Sequence, residues 1–211
     1  MSNRSSYYQH NRSEILQLID AAPRRVLDIG CGRGGVADIL RRHYPELRIV
    51  GFDKYKDDSF DYAKIFESFY NVDLSGEWPD IDYSAFDLVL LLDVLEHLVD
   101  PEAVLANLSR LAAKGTRVIV SLPNFHAYSN LYEIVKTRRF PYKDSGILDR
   151  THLRFYGQDD ARDLISPHFV VDKFLPHHLH PRSRLNKAAA VILGEKYAAY
   201  QNIFLCTAKG L

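Results

Sequence analysis

The 211-residue sequence predicts an α/β fold, a doubly wound sheet with helices on both faces, and three observations carry that prediction. Short, nearly continuous apolar runs alternate with segments of helical apolar spacing along the chain. A glycine cluster, Gly30-Cys-Gly32-Arg-Gly34-Gly35, joins the first of these runs to a helical segment. No repeat, low-complexity tract or Gly/Ser linker interrupts the pattern, and 46% hydrophobic with 26% charged residues suit one buried core, so residues 1–211 read as a single domain.

Ser13 is expected to cap a first helix whose Ile15, Leu16 and Ile19 share a face. Residues 25–30 (RVLDIG) read as a buried strand running into the glycines, and a helix with Val36, Ile39 and Leu40 on its inner face follows. Residues 48–53 (RIVGFD) form the next strand, a third precedes Asp73, and residues 86–93 (FDLVLLLD) have the unbroken apolarity of a strand covered on both faces. Asp100 and Pro101 supply an N-cap and a first-turn proline for a helix carrying Val104, Leu108 and Leu111. A strand at 117–122 is stopped by Pro123; a helix near 158–165 and strands at 169–175 and 203–208 complete the pattern. Two mixed segments, 124–154 and 176–200, fit neither period and are expected to be lids over the carboxyl end of the sheet, where such folds bind ligands.

The net charge is zero, with 27 basic and 27 acidic residues, which argues against attachment to nucleic acid or membranes by bulk charge. The distribution is uneven: residues 1–52 sum to +3, residues 53–102 to −11 and residues 103–211 to +8. Two ligands of opposite charge would account for such a division. The N-terminal MSNRSSYYQHNRSE contains no signal-like apolar stretch and the apolar run 88–92 is too short to span a bilayer, so a cytoplasmic location is expected. Cys31 and Cys206 form no CxxC pair and are expected to be reduced and structural.

Between a strand and a helix, the glycine loop lets the backbone turn tightly and approach a ligand, while the helix N-terminus favours a negative group. Gly30, Gly32 and Gly35 satisfy G-x-G-x-x-G, and Asp53 ends the next strand, where a carboxylate can accept both ribose hydroxyls. That much would permit a nicotinamide dinucleotide and an oxidoreductase, and Tyr132 with Lys136 even forms a YxxxK pair. Asp28, Asp73 and Asp93 argue against it, because a pyrophosphate is poorly served by so many nearby anions. Tyr132 is more simply read as a helix-packing residue.

At these residues the sequence resembles the class I S-adenosylmethionine-dependent methyltransferases, whose D/E-x-G-x-G-x-G loop is matched by Asp28, Gly30, Gly32 and Gly34. The resemblance covers nearly the whole chain, and the runs DVLEHL and LDRTHLRF are similar to those of a small bacterial branch. It implies a Rossmann-like seven-stranded sheet, mostly parallel with an antiparallel last strand, and S-adenosyl-L-methionine as cofactor. It further implies that the glycine loop cradles the methionine portion, Asp53 binds the ribose, Asp73 and Leu74 meet the adenine, and Asp93 lines the same pocket. Tyr8 would fold over the cofactor, as an N-terminal aromatic does in similar enzymes.

Methyl transfer from a sulfonium is a direct displacement, so alignment dominates and a base is needed only for an acceptor that carries a proton. His152 is the first candidate for that base and His97 the second. Asn124, Arg150 and Arg154 are expected to contact the acceptor. The run Asp93-x-x-Glu96-His97, completed by His152, resembles a metal-binding set of ubiquinone-pathway O-methyltransferases and small-RNA 3′-end methyltransferases, and would suit magnesium, manganese or zinc. Asp93 stands where those families usually have Glu, and many relatives keep EHL without metal, so a divalent metal is possible but not expected. The basic groups in the lids, Lys136, Arg138, Arg139 and Lys143, then Arg182, Arg184 and Lys187, point to a small anionic acceptor such as a sugar nucleotide or acidic metabolite. A nucleic-acid partner is disfavoured, and no NPPY-type run supports methylation of base or protein amides. A rival reading is a non-catalytic partner that keeps the fold. Oligomeric state is not specified by the sequence.

Overall fold

A computed structural model describes residues 12–177, 191–192 and 194–210. Seven strands form one sheet: β1 (Arg25–Ile29), β2 (Arg48–Asp53), β3 (Ser68–Asn71), β4 (Leu88–Leu92), β5 (Arg117–Pro123), β6 (Phe169–His177) and β7 (Gln201–Ala208). Their order is β3-β2-β1-β4-β5-β7-β6. All pairs are parallel except those of β7, which runs antiparallel to both β5 and β6. The expected mostly parallel Rossmann-like sheet with an antiparallel last strand is therefore present.

The central strands are apolar on both faces because both faces are covered. Leu27, Ile29, Val89, Leu91, Val118 and Val120 face one core. It is closed by α2 (Pro101–Leu111) and α4 (Gln158–Ile165) through Leu105, Leu108, Ala161 and Ile165. Val26, Leu88, Leu90 and Ile119 face the other core, closed by α1 (Gly35–His43) through Ala37 and Leu40 and by the 3₁₀ turn Ser13–Leu18 through Ile15 and Leu18. As expected, Asp100 caps α2, its Oδ1 accepting from the Ala103 N–H at 2.9 Å.

Between β2 and β3 the described chain has only a 3₁₀ turn, Tyr62–Lys64, and aromatic packing covers that edge, with Tyr62 and Phe69 ring centroids 3.8 Å apart. Three local expectations change. Ser13 does not cap an α-helix: it begins the 3₁₀ turn, after Arg12 at the cap position. The segment 124–154 contains a helix, α3 (Tyr128–Thr137), on which Tyr132 is exposed rather than packed. In the segment 176–200, Pro176 and His177 finish β6 and Glu195–Ala198 forms the short α5. Tyr7, Tyr8 and residues 178–190 lie outside the described residues.

Phe52, 1% exposed on β2, meets Tyr70, Trp78 and Tyr83 edge-on with centroids 5.6, 6.2 and 6.4 Å away. Phe52→Ala should cost about 3–5 kcal/mol of stability, read as a lower urea midpoint at unchanged m-value. A loss under about 1 kcal/mol would mean that this edge of the sheet can collapse around the missing ring.

Candidate active site

Parallel pairing sends the ends of β1, β2, β4 and β5 to one edge of the sheet, and the predicted site residues hang from those ends. The glycine loop begins where the Gly30 and Cys31 N–H groups both donate to the Phe52 carbonyl, at 2.8 and 3.1 Å. Gly30, Gly32 and Gly34 have φ of +76°, +53° and +76°, the left-handed region in which a side chain is strained. A Cβ on Gly30 would also run into the Val94 side chain. Asp53 then fixes the loop: its Oδ2 accepts from Gly32 N–H at 2.8 Å and its Oδ1 from Tyr55 N–H at 2.7 Å.

Asp28 is buried beneath the loop, and its Oδ2 has no hydrogen-bond partner among the described residues. Burial, reinforced by the negative charge of Asp53, pushes its carboxyl up to about 7. An unpartnered acceptor under a glycine turn suits a cationic group such as the ammonium of S-adenosylmethionine, so the residues present fit that cofactor. At the far side, Asp73 sits in an exposed ion pair with Lys54 at 2.8 Å, and Leu74 packs against the core while its carbonyl accepts from Trp78 Nε1.

Asp93, at φ +56°, is one of two described non-glycine residues with positive φ. Its carboxylate pairs with Arg12 and accepts from Ser121 Oγ at 3.0 Å and from Gln201 Nε2. Arg12 in turn donates to Gln201 Oε1 at 2.7 Å. Sequence reasoning missed Arg12, Ser121 and Gln201, because their spacing along the chain carries no signal. The network turns Asp93 away from the metal set proposed from sequence and toward β5 and β7.

Glu96, His97 and His152 do come together, each offering one ligand atom within 4.8 Å of the others. The lid delivers His152: the N–H groups of Leu153 and Arg154 both donate to the Glu96 carbonyl, at 2.8 and 3.2 Å. Each histidine is tied by Nδ1 to a lid carbonyl, His152 to Ile147 at 2.9 Å and His97 to Thr151 at 3.2 Å. A carbonyl only accepts, so both rings carry a proton on Nδ1, and in the neutral His152 ring Nε2 is a lone pair. The His152 Nε2 and both Glu96 carboxylate oxygens are buried without hydrogen-bond partners among the described residues. Burial raises the Glu96 carboxyl to about 8 and pushes the His152 imidazolium down, so both groups rest neutral at neutral pH.

Asn124, expected to contact the acceptor, is fully buried and held by backbone groups. Its Nδ2 donates to the carbonyls of Lys196 and Ala199 at 2.7 and 2.8 Å, and its Oδ1 accepts from His126 N–H at 3.2 Å. It holds α5 against the end of β5, and complete burial keeps the one remaining lone pair of its Oδ1 from solvent. Arg150 and Arg154 are exposed on the lid, the first pairing with Asp144 at 3.3 Å and the second donating to the Val99 carbonyl.

The methyltransferase domain family matches residues 2–165. A ubiquinone biosynthesis O-methyltransferase of Coxiella burnetii is 29% identical over 126 residues, covering 57% of this chain and 53% of the relative. The ajmaline N-methyltransferase of Rauvolfia serpentina is 30% identical over 130 residues, 52% of this chain and 44% of the relative. The chain thus spans about half the length of the curated relatives it matches. Among solved structures, the N-methyltransferase NodS of Bradyrhizobium japonicum, in complex with S-adenosyl-L-homocysteine, aligns with a TM-score of 0.60 at 14% identity, over 98% of this chain and 89% of that one. That likeness is one of fold.

The buried Asp28 gives a pH signature. Its native carboxyl binds a proton more tightly than the unfolded one, so stability is retained below 3.8 and lost as pH rises toward about 7. Asp28→Asn should flatten that slope and raise the unfolding midpoint by several degrees at pH 8 without ligand. An unchanged pH profile of thermal unfolding would mean that Asp28 is not buried as described.

Proposed function

The chain belongs to the methyltransferase domain family, and from that membership we propose that it moves the methyl group of S-adenosyl-L-methionine to an oxygen or nitrogen of a small anionic acceptor. The observation that carries this reading is the left-handed glycine turn closed by Asp53 over Asp28, whose Oδ2 has no hydrogen-bond partner among the described residues. When bound, the cofactor supplies an electrophilic methyl on a sulfonium. Asp28 faces its ammonium, Gly30, Gly32 and Gly34 leave room for its backbone-like portion, and Asp53 serves the ribose. Asp73 and Leu74 serve the adenine; the Asp73–Lys54 pair is exposed, so exchanging it for a ligand contact costs little. Asp93, locked by Arg12, forms the wall between donor and acceptor.

His152 is the base of this reading. Its neutral ring has Nδ1 occupied and Nε2 free to take a proton, and the His97 ring lies 4.8 Å away, centroid to centroid. Arg150 and Arg154 offer charge to an anionic acceptor from the lid. A second reading is favoured by the three gathered ligand atoms: a divalent metal held by Glu96, His97 and His152 would orient an acceptor oxygen. The two Nδ1-to-carbonyl bonds support it, because they aim lone pairs in the way histidine ligands are usually aimed.

Asp53→Ala should weaken S-adenosylhomocysteine binding in calorimetry by about tenfold or more, the worth of a lost charged hydrogen bond and a loosened loop. Unchanged affinity would remove Asp53 from the cofactor site. His152→Ala should lower transfer to acceptors in a panel of sugar nucleotides and acidic metabolites by roughly 10²–10⁴-fold while leaving cofactor affinity intact. Chelation separates the two readings: activity that survives it leaves His152 as base, and activity lost to it and restored by magnesium, manganese or zinc supports the metal. Tight cofactor binding with no turnover on any acceptor would instead favour a non-catalytic partner.

A further inference from the structure

Residues 128–143 (YSNLYEIVKTRRFPYK) form the most weakly packed part of the described lid, since Asn130 is the only buried residue of α3. Four large apolar or aromatic side chains stand in water there: Val135 at 76% exposure, Tyr132 at 64%, Phe140 at 52% and Tyr142 at 46%. Isolated exposed apolar groups are ordinary, but four within eleven residues form a contiguous stretch that monomer surfaces avoid. The same segment holds four basic side chains and one acid, Glu133, which is taken by Lys143 at 2.6 Å. Among the described residues, Lys136, Arg138 and Arg139 have no acidic partner, and Lys136 Nζ lies 5.6 Å from the centroid of the exposed Tyr132 ring.

We propose that this face, α3 and the turn through Tyr142, docks the protein peripherally on an anionic lipid surface. Exposed aliphatic and aromatic groups enter the headgroup boundary, and unpaired Lys and Arg side chains meet the lipid phosphates. No helix among the described residues is long and apolar enough to cross a membrane, so the attachment inferred here is to the surface.

Two other occupants fit less well. Single-stranded nucleic acid uses free aromatic faces, yet the Phe140 ring lies against Phe125, with centroids 6.2 Å apart and planes at 17°, and the aliphatic Val135 offers a base nothing to stack on. A second copy docking through the same face would bring Lys136, Arg138 and Arg139 against their own counterparts with Glu133 already paired. An anionic surface satisfies cations and apolar groups at once.

The docking face is continuous with the histidine site. Phe140 stacks on Phe125, Phe125 lies 5.2 Å from Phe155, and Phe155 lies 6.4 Å from His152. This surface is argued without reference to methyl transfer and stands or falls separately from it.

The test is co-sedimentation of the full chain with vesicles of phosphatidylglycerol and phosphatidylcholine in equal parts, with pure phosphatidylcholine as control. The chain should bind the mixed vesicles at least about tenfold more tightly and lose that preference in high salt. Arg138→Ala with Arg139→Ala should abolish the preference for anionic lipid, and Val135→Ser with Phe140→Ser should weaken binding to both. S-adenosylhomocysteine affinity should not change in either variant, and the unfolding midpoint should hold for the arginine pair; because Phe140 packs on Phe125, Val135→Ser alone, at a position 76% exposed, is the variant that should weaken binding at an unchanged midpoint. Equal binding to both vesicle types, no binding, or indifference to the substitutions overturns the proposal. Tighter binding to a thymidine oligonucleotide, or a dimer in sedimentation velocity that Phe140→Ser dissociates, also overturns it and assigns the face to that occupant.

Discussion

The parallel register of β1 against β4 is the constraint on which the site depends. Val26, Leu27, Asp28 and Ile29 pair in order with Leu88, Val89, Leu90 and Leu91, so the glycine loop and the DVLEHL segment leave the sheet side by side. A slip of one residue would turn Asp28 to the opposite face and carry Glu96 and His97 out of line with the loop. What resists the slip is burial: the paired residues are covered on both faces and the apolar ones are at most 3% exposed. At the opposite end the Asp87 carboxylate accepts from the N–H groups of Arg24 and Arg25 at 2.9 and 3.0 Å, and the Asp87 N–H donates to the Arg25 carbonyl at 3.1 Å, pinning the same register from both sides.

Given that scaffold, the polar groups at the carboxyl edge divide into two kinds. Asp53, Asp93 and Asn124 are held by hydrogen bonds from the protein: Asp53 shapes the glycine turn through one bond on each oxygen and keeps a further lone pair on each, Asp93 is anchored by Arg12, Ser121 and Gln201, and Asn124 ties α5 to β5. Asp28, Glu96 and His152, and Asn202 on β7 opposite Leu122, are buried with bonds unmade among the described residues. A buried polar atom left unpaired costs about 1–3 kcal/mol, so four such residues toward one edge are a stability deficit. Asp28 lies under the glycine loop, and Glu96 with His152 lies apart from it, where the segment 147–154 meets the end of β4.

The strands were legible because burial on both faces leaves an unmistakable apolar run, and the observed ends of β2 and α4 fall where their sequence signals stop. The glycine loop was legible because left-handed backbone selects glycine at Gly30, Gly32 and Gly34. The Glu96, His97 and His152 cluster was half legible: two members are adjacent in sequence, and the third arrives only because Glu96 carries the backbone carbonyl that receives the lid. Asn124, expected to meet the acceptor, bonds three backbone groups, and a polar residue after a strand looks the same in sequence whether it faces a ligand or the protein's own backbone. Arg12, Ser121 and Gln201 left no trace at all, since their meeting depends on β7 returning antiparallel beside β5. The 3₁₀ turn between β2 and β3 left no sequence signal for a similar reason: aromatic stacking such as Tyr62 on Phe69 covers the edge without any helical period.

The uneven charge distribution acquires a different meaning in three dimensions. The −11 of residues 53–102 suggests a strongly negative cofactor side, yet four arginines of the first segment lie against it: Arg12 on Asp93, Arg24 on Asp87, Arg25 on Glu67 and Arg33 on Asp57. Lys54 covers Asp73 as well. The field near the loop is therefore set by local pairs, and the raised carboxyl of Asp28 reflects burial first and its neighbour Asp53 second. The +8 of the last segment is treated differently. Arg117 and Lys173 are drawn to Asp20, and Arg117 also to Asp172, but Lys136, Arg138 and Arg139 remain without acids among the described residues. Like charges left together and uncompensated raise the energy of the folded chain, and such a cost persists on a surface most readily where something else supplies the counter-charge. Part of the excess negative charge is thus met inside the molecule by those four arginines, whereas the positive charge at 136–139 stands at the surface without an acid among the described residues.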